Sequence, residues 1–138
     1  MISKTDILYY IPADDLDQIT GEDDSIIDFS IEDAENYAKE YLRPRFDVET
    51  EFAKTGIDRN KSLLNVLVHI SIYLMFERLN TNVLPEARSD SYNRSIQWLK
   101  DVSSGKLETT LTEKTSPENE KGYAIRWGSS EKKINTKL

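Results

Sequence analysis

Apolar residues recur at a helical period along most of this chain. Ile31, Ala34, Tyr37, Ala38, Tyr41 and Leu42 fall on one stripe of a 3.6-residue repeat, which predicts an amphipathic helix that Pro44 stops. Ser30, with Asp33 three residues later, forms a capping-box-like start for it and leaves Glu22 to Asp28 as an acidic loop. Upstream, Ile11-Pro12-Ala13-Asp14-Asp15-Leu16 places Pro at the first helical position and acids in the first turn, where the helix dipole favours them. A short helix ending near Gly21 is expected there.

Further along, Ser62 is positioned to cap a helix running to about Leu79. Its apolar residues surround nearly the whole circumference, and a helix apolar all round must be buried. Leu63, Val66, Leu67, Ile70 and Leu74 are the expected core. Arg45 to Lys61, with Gly56, Asp58 and Asn60, reads as a connection. Pro85 opens a last helix with Tyr92, Ile96, Leu99 and Val102 as its stripe, Trp98 off the stripe's centre, and Gly105 closing it.

Lys106 to Leu138 is too polar to build a core, and Thr112 to Gly122 reads as a flexible linker. Yet Tyr123-Ala124-Ile125-Arg126-Trp127 alternates like a strand with one apolar face. The predicted architecture is all-α. A small four-helix body spans residues 1–105: a short N-terminal helix, an amphipathic helix, a central buried helix and a C-terminal amphipathic helix. An extended C-terminal arm, residues 106–138, is able to form a β-strand with a partner. The arm is expected to be loosely docked until assembly, and deleting residues 121–138 to block assembly without unfolding the body.

At 138 residues and 38% hydrophobic, the chain has enough apolar material for one core. It contains no cysteine, so no disulfide, thiolate nucleophile or cysteine-based metal site is available. No signal-peptide pattern opens it, and the run from Leu63 to Phe76 is too short to span a bilayer, so a soluble protein without membrane contact is expected. Residues 1–105 carry 11 Lys and Arg against 20 Asp and Glu, a balance of −9; residues 106–138 carry 7 against 5, a balance of +2. An acidic body argues against a sequence-specific nucleic-acid binder, while suiting a surface that DNA passes without adhering.

The chemistry-bearing residues do not assemble into a known catalytic pattern. The acids between Asp14 and Asp28 lack the alternation, glycine and terminal Glu of a calcium loop, so a solvated acidic segment is favoured over a metal site. His69, the single histidine, lies one turn after Asn65 on the buried helix and reads as a core or interface residue hydrogen-bonded locally. No phosphate loop, HExxH or GxSxG occurs. A non-enzymatic protein without cofactor or metal is expected.

Partner contacts are the remaining candidates. Arg43 and Arg45 flank Pro44 at a helix end, where complementing the dipole and nearby acids is the simpler role. Trp98 is a candidate through its off-stripe position. In the arm, Tyr123, Ile125, Arg126 and Trp127 are candidates because a Trp in a polar tail has no core of its own to fill, and Trp and Arg are frequent at interface hot spots.

The succession Tyr41-Leu42-Arg43-Pro44-Arg45-Phe46-Asp47, Asp58-Arg59-Asn60, the helix with His69, Leu84-Pro85-Glu86, Tyr92, Ile96-Gln97-Trp98-Leu99, Gly105-Lys106 and Ile125-Arg126-Trp127-Gly128-Ser129 resembles the phage Mu gp36-like family over nearly the whole chain. The resemblance implies a head-tail connector, or head-completion, component of a tailed bacteriophage. Such a protein is made in the host bacterial cytoplasm and resides at the head-tail junction of the virion. It forms a ring homo-oligomer beneath the portal protein, meets tail or stopper proteins, and surrounds passing DNA. Many members carry a glycine in an aspartate-rich loop before the second helix; Glu22 to Asp28 lacks it. The competing reading from a different class is a cytosolic adaptor or regulatory module that binds a protein partner through the arm by strand addition.

Overall fold

The computed structural model describes residues 1–79 and 84–115. Six α-helices occur among them: α1 (Lys4–Leu8), α2 (Ala13–Thr20), α3 (Asp24–Leu42), α4 (Val48–Phe52), α5 (Lys61–Glu77) and α6 (Glu86–Ser103), with a 3-10 turn at Gly56–Asp58. The all-α expectation holds, and two short helices, α1 and α4, join the four read from the sequence.

α5 is the axis of the body. Leu63, Val66, Leu67, Val68, Ile70, Ile72 and Met75 are buried around it, and α3 and α6 pack against it from two sides while α1 and α2 cover its remaining flank. Leu74, expected in the core, is only half-buried, because α3 and α6 leave a gap beside it. Burying each such Leu or Ile contributes about 1.5–3 kcal/mol. The one buried hydroxyl of this helix, Ser71, donates to the Leu67 carbonyl at 2.8 Å, so it costs the core little. The helix begins two residues earlier than expected. Asn60, rather than Ser62, caps it, its Oδ1 accepting from Leu63 N–H at 2.9 Å.

α3 begins seven residues before the expected start. Its cap is Asp23, whose carboxylate accepts from the Ser25 N–H at 3.0 Å and the Ser25 hydroxyl at 2.6 Å. Asp24 to Asp28, expected in a loop, is therefore helical, and Ser30 is a buried mid-helix residue rather than a cap. The apolar stripe accordingly extends back to Ile27 and continues through Ile31, Ala34, Ala38 and Leu42. Tyr37 and Tyr41 flank it and meet edge to face, with ring centroids 5.3 Å apart. Between α2 and α3 the chain passes through two consecutive left-handed residues, Gly21 (φ 63°) and Glu22 (φ 62°). Gly21 adopts this region at no steric cost; Glu22 does not.

After α6 the chain turns back through Gly105 (φ 83°) and runs along the body. Asp47 N–H donates to the Thr112 carbonyl at 2.8 Å, Lys114 N–H to the Arg45 carbonyl at 3.2 Å, and Phe46 and Glu113 form an antiparallel bridge. Leu111 is buried beneath this crossing. The first ten residues of the expected arm are thus laid on the body, and Thr112, expected to open a flexible linker, is held at both its N–H and its carbonyl.

Candidate interaction surface

A groove of about 430 Å³ lies between the first half of α5 and the middle of α6, closed at one side by Tyr10. α5 contributes Lys61, Ser62, Asn65, Val66 and His69, and α6 contributes Ser91, Arg94, Ser95 and Trp98. The spacing of these residues at one-turn intervals puts each set on a single helix face. Trp98 and Val66 give the groove apolar surface, and Lys61 and Arg94 give it positive charge. Among the described residues neither cation pairs with a carboxylate; Arg94 donates only to the Ser91 hydroxyl, at 3.1 Å.

His69 stands against the edge of Tyr10, with ring centroids 5.2 Å apart and planes at 80°. The local hydrogen bond expected of it is absent at Nδ1, which is buried without a partner among the described residues, and the Asn65 amide turns instead to the Tyr10 hydroxyl at 3.2 Å. Burial lowers the His69 pKa below its ordinary 6.5, and the positive charges of Arg88 and Arg94 lower it further. The ring is thereby kept neutral, which leaves the groove's charge to Lys61 and Arg94.

A second opening lies at the far end of α5, lined by Asp23, Ser25, Ile26, Phe29, Ser30 and Asp33 of the α3 segment and by Leu74, Glu77 and Arg78. Phe29 is 65% exposed there. Tyr73 and Tyr92 stack at 3.9 Å, joining α5 to α6.

The cations at the end of α3 are engaged within the chain. Arg45 donates to the Val102 carbonyl at 2.8 Å, lies over the Phe46 ring at 5.0 Å and is 3.9 Å from Glu113. It complements the last turn of α6 rather than that of its own helix. Arg43 is exposed and 3.8 Å from Glu49. Trp98 lines the first groove. Tyr123, Ile125, Arg126 and Trp127 lie outside the described residues.

Sequence reasoning missed Tyr10 and Phe29. Tyr10 follows a five-residue helix whose only signal was Ser3 with Asp6, a reciprocal cap too short to stand out. Phe29 was hidden by starting α3 at Ser30. The signal that reveals it is Ile27, four residues before Ile31 on the buried stripe, which turns Phe29 away from the core.

Among the described residues no three His, Asp or Glu side chains gather as metal ligands, and no helix is long and apolar enough to cross a membrane. The fold defines a small all-α protein with two open, aromatic-bearing faces at opposite ends of a buried central helix. The family model described as Bacteriophage Mu, Gp36 matches residues 2–126, and the chain belongs to that family. Neither a curated protein nor a solved structure matches the chain.

Proposed function

We propose that this protein is a structural head-tail connector of a tailed bacteriophage, acting as an adaptor or head-completion protein that forms an oligomeric ring between portal and tail. Membership of the phage Mu Gp36 family across residues 2–126 is the observation that carries this reading. The physical features fit it. A body with a balance of −9 repels the phosphate backbone of DNA, so DNA moves past it without being held. Exposed Phe29 and the Trp98 groove offer aromatic contact surface at two separate places, as a subunit with neighbours on both sides requires. In this reading the work of the protein is assembly, not catalysis, and no cofactor enters it.

The test is to block expression of this chain during phage growth. Filled heads and free tails that fail to join, with joining restored by supplying the chain, are the expected result. Infectious, joined particles that contain none of this chain would overturn the reading.

A further inference from the structure

The two open faces differ in chemistry. On α3, Phe29 projects 65% exposed, with Glu32 and Asp33 one turn later on the same side of the helix. Neither carboxylate is paired with a cation among the described residues. The groove between α5 and α6 has the opposite complement: Trp98, Tyr10 and Val66 as apolar surface, with Lys61 and Arg94 unpaired with any carboxylate. An aromatic side chain flanked by acids thus matches an aromatic-lined groove of about 430 Å³ flanked by bases. Tyr9 and Ile57 are also exposed, but they stand at the end of a five-residue helix and in a 3-10 turn, without a helix face of carboxylates beside them.

The two surfaces cannot meet within one molecule. The groove is built on Lys61 to His69 of α5, whereas the Phe29 face adjoins Leu74, Glu77 and Arg78. From Ser62 to Glu77 the helix rises about 22 Å at about 1.5 Å per residue. A contact between them therefore joins two different copies, and joins unlike surfaces. Such a heterologous contact leaves one free groove and one free Phe29 face on every dimer, and it propagates until the rotation closes a ring.

We propose that the α5–α6 groove of one copy receives the Phe29 face of α3 from a second copy of this chain, with Glu32 and Asp33 set against Lys61 and Arg94. This pairing rests on the connector reading and supplies its subunit contact. Burying Phe29 against Trp98 provides the apolar centre, and the charges fix the orientation.

The absence of cysteine makes the contact directly measurable, because an engineered thiol is the only one in the chain. Asn36→Cys places a thiol on the Phe29 side of α3, and Ser62→Cys places one at the groove; both positions are exposed. Mixed full-length chains, each carrying one of the substitutions, are treated with a short bis-maleimide, in concentrated solution and after assembly into particles. Linking between unlike thiols is expected to exceed linking between like thiols. It should be lost with Phe29→Ala or with Arg94→Glu, and the Arg94→Glu loss should be reversed when the opposing copy carries Asp33→Arg.

Linking that is equal for like and unlike thiols, that ignores Phe29→Ala, or that is absent in both settings overturns the pairing. So does linking of the Ser62→Cys thiol to another particle protein in place of this chain. In that case the chain is still in the particle, and the connector reading stands. A chain missing from particles sinks the connector reading, and the solution measurement then decides the pairing by itself.

Discussion

Arg59 donates to the Asp6 carboxylate at 2.8 Å across 53 positions of sequence, and the same nitrogen donates to the Met1 carbonyl at 3.0 Å. This single guanidinium ties the first helix to the segment that leads into α5. Asp6 in turn accepts from Ser3 N–H at 2.9 Å, so one carboxylate both caps α1 and docks it.

Replacing Arg59 with Met should therefore loosen the N-terminal segment, at a cost of about 1.5–3 kcal/mol for a charged hydrogen bond. Burial opposes ionisation of Asp6, but the bonds from Arg59 and Ser3 outweigh it and hold its pKa below the ordinary 3.8. A carboxylate depressed in the folded state contributes stability that is present above 3.8 and is lost as pH falls through the folded value. Urea titrations of wild type and Arg59→Met should differ at neutral pH and converge in acid. A constant difference down to the lowest pH would show that the pair contributes nothing through ionisation.

His69 should act in the same direction as Asp6, in a window nearer neutrality. With its folded pKa below 6.5, the unfolded chain binds the proton more readily, so the chain should lose stability as pH drops below 6.5. His69→Gln should flatten that part of the pH profile while preserving helicity. Denaturation midpoints across the acidic side of neutrality measure it, and an unchanged slope would contradict the assignment.

The central helix sets the largest effects. Leu67 is fully buried, and Leu67→Ala should cost about 2–5 kcal/mol by leaving a cavity. Leu67→Asp or Ile70→Asp, which bury an unpaired charge, should abolish folding. Circular dichroism of the purified variants is the check; soluble, fully helical Asp variants would remove α5 from the centre of the fold.

The chain segment after α6 should contribute to the stability of the body. Glu51 is 2% exposed, and its Oε1 accepts from Thr112 N–H at 2.9 Å and from Lys54 at 3.1 Å. Thr112→Pro removes the N–H and leaves a buried carboxylate short of a donor, and should cost about 1–3 kcal/mol. Leu111→Ala should cost about 2 kcal/mol or more. Thermal midpoints equal to wild type for both variants would show that this crossing is not part of the folded body.

Glu22 should be a site of gain. It holds φ 62° on the exposed surface, a conformation that glycine adopts without strain. Glu22→Gly is expected to raise stability by about 1 kcal/mol, the relief of left-handed backbone strain less the extra chain entropy of glycine. The expectation fails if the melting temperature falls.

Helix periodicity carried most of the architecture. α5 was legible because only burial explains an apolar circumference, and α6 because Pro85 and Gly105 punctuate its two ends. α1 and α4, of five residues each, were not legible. Helices of that length have no stable existence apart from the contacts they make, so their periodic signal is too short to read. The start of α3 was misplaced because Ser30 and Asp33 mimic a cap, while the capping residue was Asp23, an acid among acids.

By itself, the sequence determined a helical body, a buried central helix, an acidic surface and a family, because each follows from local periodicity, composition or ordered motifs. Which side chains share a surface was decided by tertiary structure alone. Tyr10 lies in the turn after α1, His69 on α5 and Trp98 on α6, and no local rule relates them. Arg45 could have served its own helix end by proximity in sequence; the packing of α6 beside it gave it the Val102 carbonyl instead. A hydrogen bond or a groove is a property of distances between segments, and those distances exist only once the core has set the segments against one another.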